Sequence, residues 1–97
     1  MIQRIVRMEF RTEEIEAFKA LFEENKEKIR GFEGCNSLKL LQDVNKPTIF
    51  FTYSIWNSED DLNNYRHSEL FAEVWKATKS KFDGHAEAWS TDLLHAL

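Results

Sequence analysis

Apolar and polar residues alternate along the first ten residues of the chain. The apolar positions are Ile2, Val6, Met8 and Phe10 on one parity and Ile5 on the other. A period of two is typical of a strand, so we predict a strand over residues 2–10. Apolar residues on both parities indicate burial on both faces, as expected for a sheet that meets helices on one side and a second subunit on the other.

The next segment changes to helical spacing. Its apolar residues recur every three or four positions and are Ile15, Phe18, Leu21, Phe22 and Ile29. Acidic residues lie near its start and basic residues near its end, which suits the helix dipole. Thr12 is a candidate N-cap, and Gly31 stands where a helix commonly ends. The pattern predicts a helix from about residue 13 to residue 30.

A hairpin pattern follows. We predict a strand over 37–43, a connection through Pro47, and a third strand over 48–56 that is rich in β-branched and aromatic residues. These two strands are expected to pair antiparallel.

The last third of the chain predicts a split helix and a final strand. Ser58 precedes three acidic residues, and Ser68 precedes a second apolar series that continues to Phe82. The final strand is predicted over about 85–93. The element order predicts a single α+β domain over residues 1–97 with the ferredoxin-like βαββαβ arrangement, a four-stranded antiparallel sheet with helices on one face.

Composition and charge narrow the range of partners. Aromatic residues make up 13% of the chain, so some rings are expected to face a partner or a ligand. The net charge of -4, mixed along the chain, argues against nucleic acid, and no apolar run is long enough to span a membrane. The one cysteine, Cys35, cannot form an internal disulfide, which indicates a cytoplasmic protein.

Three short motifs carry a family resemblance. The segment 53–62, YSIWNSEDDL, resembles the W-x-S-x-E-x-L element of antibiotic-biosynthesis-monooxygenase (ABM) domains. The segment 65–71, YRHSELF, resembles the next element of that family, and Phe32-Glu33-Gly34-Cys35 resembles its F-x-G-C turn. The resemblance covers nearly the whole chain.

This resemblance implies a dimeric α/β barrel, in which two sheets pack face to face and each subunit holds a pocket between sheet and helices. Members of the family include cofactor-independent oxygenases of polycyclic phenols, quinol oxygenases and haem-degrading enzymes. The haem-degrading residues are not matched, because the corresponding positions hold Arg7, Tyr65 and Trp75, and an indole nitrogen cannot ligate iron. We therefore expect no cofactor and no metal.

Two residues are candidates for chemistry in such a pocket. Tyr65 falls where many relatives carry a pocket histidine, and it either orients a substrate hydroxyl or closes the edge of the core. Arg7 lies mid-strand among apolar residues and requires a partner. It either pairs with an acid such as Glu87 or Asp92, or lies at the dimer rim, or stabilises a phenolate or enolate in the pocket.

The candidate substrate-binding residues are Trp56, His67, Phe71, Trp75 and Phe18. The four aromatic rings either line a flat apolar cavity or simply fill the core. His67 follows the short helix, and it either contacts a substrate, binds a metal, or is a solvated or capping residue beside the helix end.

The expected function is a cofactor-independent monooxygenase acting on a small aromatic or quinol-type substrate, in a homodimer. The alternatives are a dimeric stress-response or binding module that holds a small apolar ligand without turnover, and a structural dimer with a filled interior. Fold alone does not separate these possibilities.

Overall fold

A computed structural model describes residues 1–97. The elements along the chain are β1 (Ile2–Glu9), a short 3₁₀ turn (Thr12–Glu14), α1 (Ile15–Arg30), β2 (Cys35–Gln42), β3 (Ile49–Trp56), α2 (Glu59–Arg66), α3 (Glu69–Lys79) and β4 (Glu87–Thr91). All neighbouring strands pair antiparallel, in the order β2-β3-β1-β4. The predicted α+β ferredoxin-like fold is confirmed.

The start of the first helical segment differs from the prediction. Residues 12–14 form a 3₁₀ turn, and the α-helix begins at Ile15 after Glu14. Thr12 makes no capping hydrogen bond, so its predicted role as an N-cap is wrong. The turn instead uses a backbone bond from Glu14 N to the Arg11 carbonyl oxygen, at 2.9 Å.

The two serine caps of the split helix are confirmed. Ser58 Oγ accepts a hydrogen bond from Asp61 N at 3.1 Å, and Ser68 Oγ accepts one from Phe71 N at 3.1 Å. The second segment ends at Lys79, so Phe82 lies beyond the helix and forms an isolated bridge with Phe10.

The turn before β2 depends on a glycine. Gly34 has φ +88°, and a Cβ at this position would overlap the side chain of Asp61. Both facts exclude a side chain, because positive φ favours glycine and the first turn of α2 lies directly against the loop. The F-x-G-C motif therefore fixes the distance between β2 and α2.

Alternation along β1 assigns each residue to one face of the sheet. Val6 and Met8 point toward the helices, whereas Ile5 and Arg7 point toward the other face, which no helix covers. None of the helices is long and apolar enough to cross a membrane. Location in the cytoplasm stays a prediction.

Candidate functional site

The core beneath the helices is divided into two groups of buried side chains. One group contains Met8, Phe10, Phe18 and Phe50, and the other contains Cys35, Trp56 and Leu62. A cavity of about 310 Å³ lies between them, bounded by the sheet on one side and by α1, α2 and α3 on the other. Fifteen of its 20 lining residues are hydrophobic, so the cavity suits an apolar ligand.

Five of the seven predicted site residues line this cavity together: Phe18, Trp56, Tyr65, Phe71 and Trp75. Tyr65 stacks on Trp56 with ring centroids 4.9 Å apart and an interplanar angle of 24°. Phe71 meets Tyr65 edge-on at 5.3 Å and stacks against Trp75 at 5.9 Å. The rings therefore form one continuous aromatic wall from the end of β3 to the middle of α3.

The indole of Trp56 is held in place by a buried hydrogen bond. Its Nε1 donates to Ser54 Oγ at 3.0 Å, and both side chains are buried on β3. Because the polar edge of the indole is satisfied inside the sheet, its ring face remains available for stacking with Tyr65.

Ser68 positions two of the cavity rings at once. Its hydroxyl donates to the Tyr65 carbonyl oxygen at 2.6 Å and accepts from Phe71 N at 3.1 Å. The hydroxyl thus joins the last turn of α2 to the first turn of α3. This connection sets the relative placement of the Tyr65 and Phe71 side chains.

Tyr65 is the only ionisable phenol in the cavity wall. Burial raises the pKa of Tyr65 to about 12, and the nearby Cys35 adds to the effect. No group of the protein hydrogen-bonds to its hydroxyl. Tyr65 is therefore a neutral hydrogen-bond donor at ordinary pH, with its donor available to a ligand.

Two arginines also line the cavity. Arg4 lies on the helix side of β1 and its Nη1 donates to Ser90 Oγ on β4 at 3.0 Å. Arg66 is exposed at the end of α2. Burial, and then the positive charge of Arg66, lower the pKa of Arg4.

Arg7, a candidate for chemistry in the pocket, does not line the cavity. It projects from the opposite face of β1, where its guanidinium lies 3.7 Å from the Glu9 carboxylate and 3.9 Å from the Glu87 carboxylate. The physical reason is the strand period: residues 4 and 6 share one face, and residue 7 belongs to the other. The pairing with Glu87 was one of the readings open from the sequence.

His67 also lies outside the cavity. It is exposed at the C-terminal end of α2, and its Nδ1 lies 2.7 Å from the Asn63 carbonyl oxygen. The ring therefore interacts with the last turn of its own helix. This placement corresponds to the solvated residue beside a helix cap.

The structure brings together no group of three or more histidine, cysteine, aspartate or glutamate side chains that could hold a metal ion. Cys35 is a buried free thiol whose Sγ lies 3.6 Å from the Ser37 carbonyl oxygen. Burial raises the pKa of Cys35, which disfavours the reactive thiolate.

Sequence reasoning missed Arg4 and Arg66. A signal for Arg4 was present, because Arg4 has the same parity as Val6 and Met8 and must share their face. The sequence held no comparable signal for Arg66, which reaches the cavity only because α2 packs against β3 and α3.

These features define a class of protein: a ferredoxin-like α+β domain with an aromatic cavity between its sheet and its helices. The family model described as antibiotic biosynthesis monooxygenase matches residues 1–77. The chain therefore belongs to the antibiotic biosynthesis monooxygenase family. No curated protein matches the sequence.

Solved structures agree on the fold. A crystal structure of an antibiotic biosynthesis monooxygenase has 20% identity and a TM-score of 0.91, covering 98% of this chain and 100% of that one. A conserved protein from Methanosarcina mazei has 21% identity and a TM-score of 0.88, covering 93% of this chain and 89% of that one. Rv0793 from Mycobacterium tuberculosis has 17% identity and a TM-score of 0.89, covering 98% of this chain and 96% of that one.

Proposed function

We propose that this chain, as one domain over residues 1–97, is a cofactor-independent monooxygenase for a small aromatic or quinol-type substrate. The observation that carries the proposal is the neutral phenol of Tyr65 set in a wall of aromatic rings around a 310 Å³ cavity. Membership of the family supports the same reaction class.

In the proposed reaction the substrate supplies the electrons. An activated ring CH₂ group, as in an anthrone, reacts with O₂ to give a C=O group and one molecule of water. The carbon is oxidised, one oxygen atom enters the product, and the other leaves as water with the two hydrogens of the CH₂ group. The protein contributes orientation and an apolar environment.

Tyr65 has a specific role in this scheme. As the CH₂ group loses a proton to solvent water, negative charge develops on the substrate oxygen. The Tyr65 hydroxyl donates a hydrogen bond to that oxygen, and a donor already fixed in an apolar wall stabilises such charge efficiently. Trp56 and Phe71 hold the phenol in position through the ring contacts at 4.9 Å and 5.3 Å.

Oxygen uptake with an anthrone as substrate tests the proposal. We expect uptake above that of the heat-denatured protein, and a loss of about 10²-fold in kcat for Tyr65→Phe, the size found when one oxyanion donor is removed. Tyr53→Phe is the matched control, because Tyr53 lies on the other face of the sheet and bonds to Gln3 there. Equal rates in the Tyr65→Phe variant and the wild type would refute the role of Tyr65.

A second function is favoured by one observation. The cavity lining contains no aspartate, glutamate, histidine or lysine, so no obvious general base is present. The alternative is a binding protein that holds an apolar aromatic ligand without turnover. It predicts saturable binding of the same anthrone with no product and no oxygen consumption, measured by calorimetry and chromatography.

We also propose that the protein is a homodimer whose subunits meet through the open face of the sheet. Trp89 and Leu41 are 46% and 48% exposed there, and Ile5, Phe51 and Ile55 share that face. Apolar side chains on a sheet face that no helix covers are costly in water. The family resemblance supports a second copy as the occupant.

Sedimentation of Trp89→Lys tests the dimer. We expect a dimer for the wild type and a monomer for the variant, because the introduced lysine would place a charge in the interface. Val44→Lys is the control, since Val44 is 92% exposed in the β2–β3 connection. A wild-type monomer at micromolar concentration would refute the proposal.

A further inference from the structure

The charges around the cavity are of one sign. Arg4 and Arg66 are the only charged residues in its lining, and no carboxylate lines it to balance them. Two like charges placed near each other raise the energy of the site unless an anion approaches. The protein has a net charge of -4, yet both arginines line one cavity. This arrangement indicates that the cavity prefers an anionic ligand.

Neither arginine is neutralised elsewhere in the chain. The six ion pairs of the structure involve other cations, among them Arg7, Arg11 and Lys46. The polar contact of Arg4 is the neutral hydroxyl of Ser90, at 3.0 Å. The Arg66 side chain has no hydrogen-bond partner in the protein, so both guanidinium groups retain free donors.

The two cations lie at one end of the cavity. Arg4 pairs across the sheet with Ser54 on β3 and Ser90 on β4, beside the group formed by Cys35, Trp56 and Leu62. Arg66 directly follows Tyr65 at the end of α2. The other end is apolar, where Phe18 and Trp75 line the cavity.

We propose that the natural ligand is an aromatic carboxylate, with its anionic group bound between Arg4 and Arg66 and its rings against the aromatic wall. A planar guanidinium matches the two oxygens of a carboxylate, and a charge-assisted pair is stronger than a neutral hydrogen bond. The proposal rests on the cavity of the proposed function and names the class of substrate within it.

Calorimetric titration with three compounds that share the naphthalene ring system tests this. Naphthoate carries the carboxylate, naphthamide is its neutral counterpart, and naphthol is the neutral phenol. We expect the wild type to bind naphthoate about tenfold or more tightly than either neutral compound, the range of one charge-assisted hydrogen bond. Raising the salt concentration should reduce this preference.

The variants assign the preference to the two arginines. In the Arg4→Gln/Arg66→Gln double variant the naphthoate preference should fall to about one, whereas naphthamide binding is retained. Arg66→Lys, which keeps the charge, should retain part of the preference. Arg7→Gln is the matched control, because it removes one arginine from the opposite face of the same strand. If the double variant does not fold, Arg66→Gln alone, at an exposed position, should lower the preference several-fold.

Three results would overturn the proposal: no binding of naphthoate, equal binding of naphthoate and naphthamide or naphthol by the wild type, or an unchanged preference in the arginine variants. These outcomes differ from failure of the proposed oxygenase. A protein that prefers naphthoate yet consumes no oxygen would keep this inference and lose the monooxygenase. A protein that consumes oxygen with a neutral anthrone and shows no preference for a carboxylate would keep the monooxygenase and lose this inference.

Discussion

The two faces of the sheet differ in chemistry although the same four strands build both. On the helix face, Met8 and Phe50 are 2% and 1% exposed, and Arg4 lines the cavity without an acidic partner. On the open face, Trp89 is 46% exposed and Arg7 lies between two carboxylates. An arginine among apolar strand residues therefore acquires its role from the face of the sheet on which it lies.

Adjacent phenylalanines on β3 give the sharpest test of this difference. Phe50 packs edge-on against Phe10 at 5.7 Å and Phe18 at 5.2 Å, whereas Phe51 projects from the open face. We expect Phe50→Ala to lower the free energy of unfolding by about 3–5 kcal/mol, because it leaves a cavity in the core.

Phe51→Ala should cost the single subunit only about 1 kcal/mol and weaken dimerisation instead. Urea denaturation and sedimentation of the two variants separate these effects. Equal losses of subunit stability in the two variants would show that the open face is packed like the core. The two faces of the sheet would then not differ in packing.

The phenol on the helix face should have a distinct alkaline titration. Because burial raises the pKa of Tyr65 to about 12, the native state keeps its proton where the unfolded chain has lost it. Stability from this residue is therefore fully present below pH ~10 and is lost as pH rises toward ~12, by about 2 kcal/mol.

Ultraviolet absorbance of tyrosinate measures the effect. The wild type should show a late step that Tyr65→Phe removes and Tyr53→Phe leaves in place. If Tyr53→Phe removed the late step instead, the phenol with the raised pKa would be Tyr53 on the open face and not Tyr65.

Removing the Ser68 hydroxyl, which joins α2 to α3, should have a small effect on the free energy of unfolding. Ser68→Ala removes the cap at 3.1 Å from Phe71 N and the bond at 2.6 Å to the Tyr65 carbonyl oxygen. We expect a loss of about 1 kcal/mol in the free energy of unfolding.

Thr12→Ala is the matched control for this cap. Thr12 makes no capping hydrogen bond, so its substitution should change stability by less than ~0.5 kcal/mol. Thermal unfolding of both variants provides the measurement. A larger loss from Thr12→Ala than from Ser68→Ala would mean that the 3₁₀ turn, and not the α2–α3 joint, depends on its hydroxyl.

Much of the fold could be predicted from local patterns. Ser58 and Ser68 each precede an acidic first turn and an apolar series, and both cap their helices as expected. The hairpin between β2 and β3 followed from a dense run of β-branched and aromatic residues. Element ends were less certain, since Glu14 continues a 3₁₀ turn where a regular helix was expected.

The candidate site was predictable only in part. Phe18, Trp56, Tyr65, Phe71 and Trp75 were expected in a pocket, and they line one cavity. His67 and Arg7 do not, because a side chain at a helix end or on the wrong strand parity points elsewhere. A sequence motif indicates which residues are near a site, but a shift of one residue changes the face.

The sequence by itself determined the order of the elements, the antiparallel pairing and the aromatic content of the interior, because these depend on local spacing and turn chemistry. Only the tertiary structure decided that the core divides into two groups with a cavity between them. It also decided that Arg4 and Arg66, 62 positions apart in the chain, line the same cavity. Cavities and charge pairs of this kind arise from packing between elements distant in sequence, which no local pattern encodes.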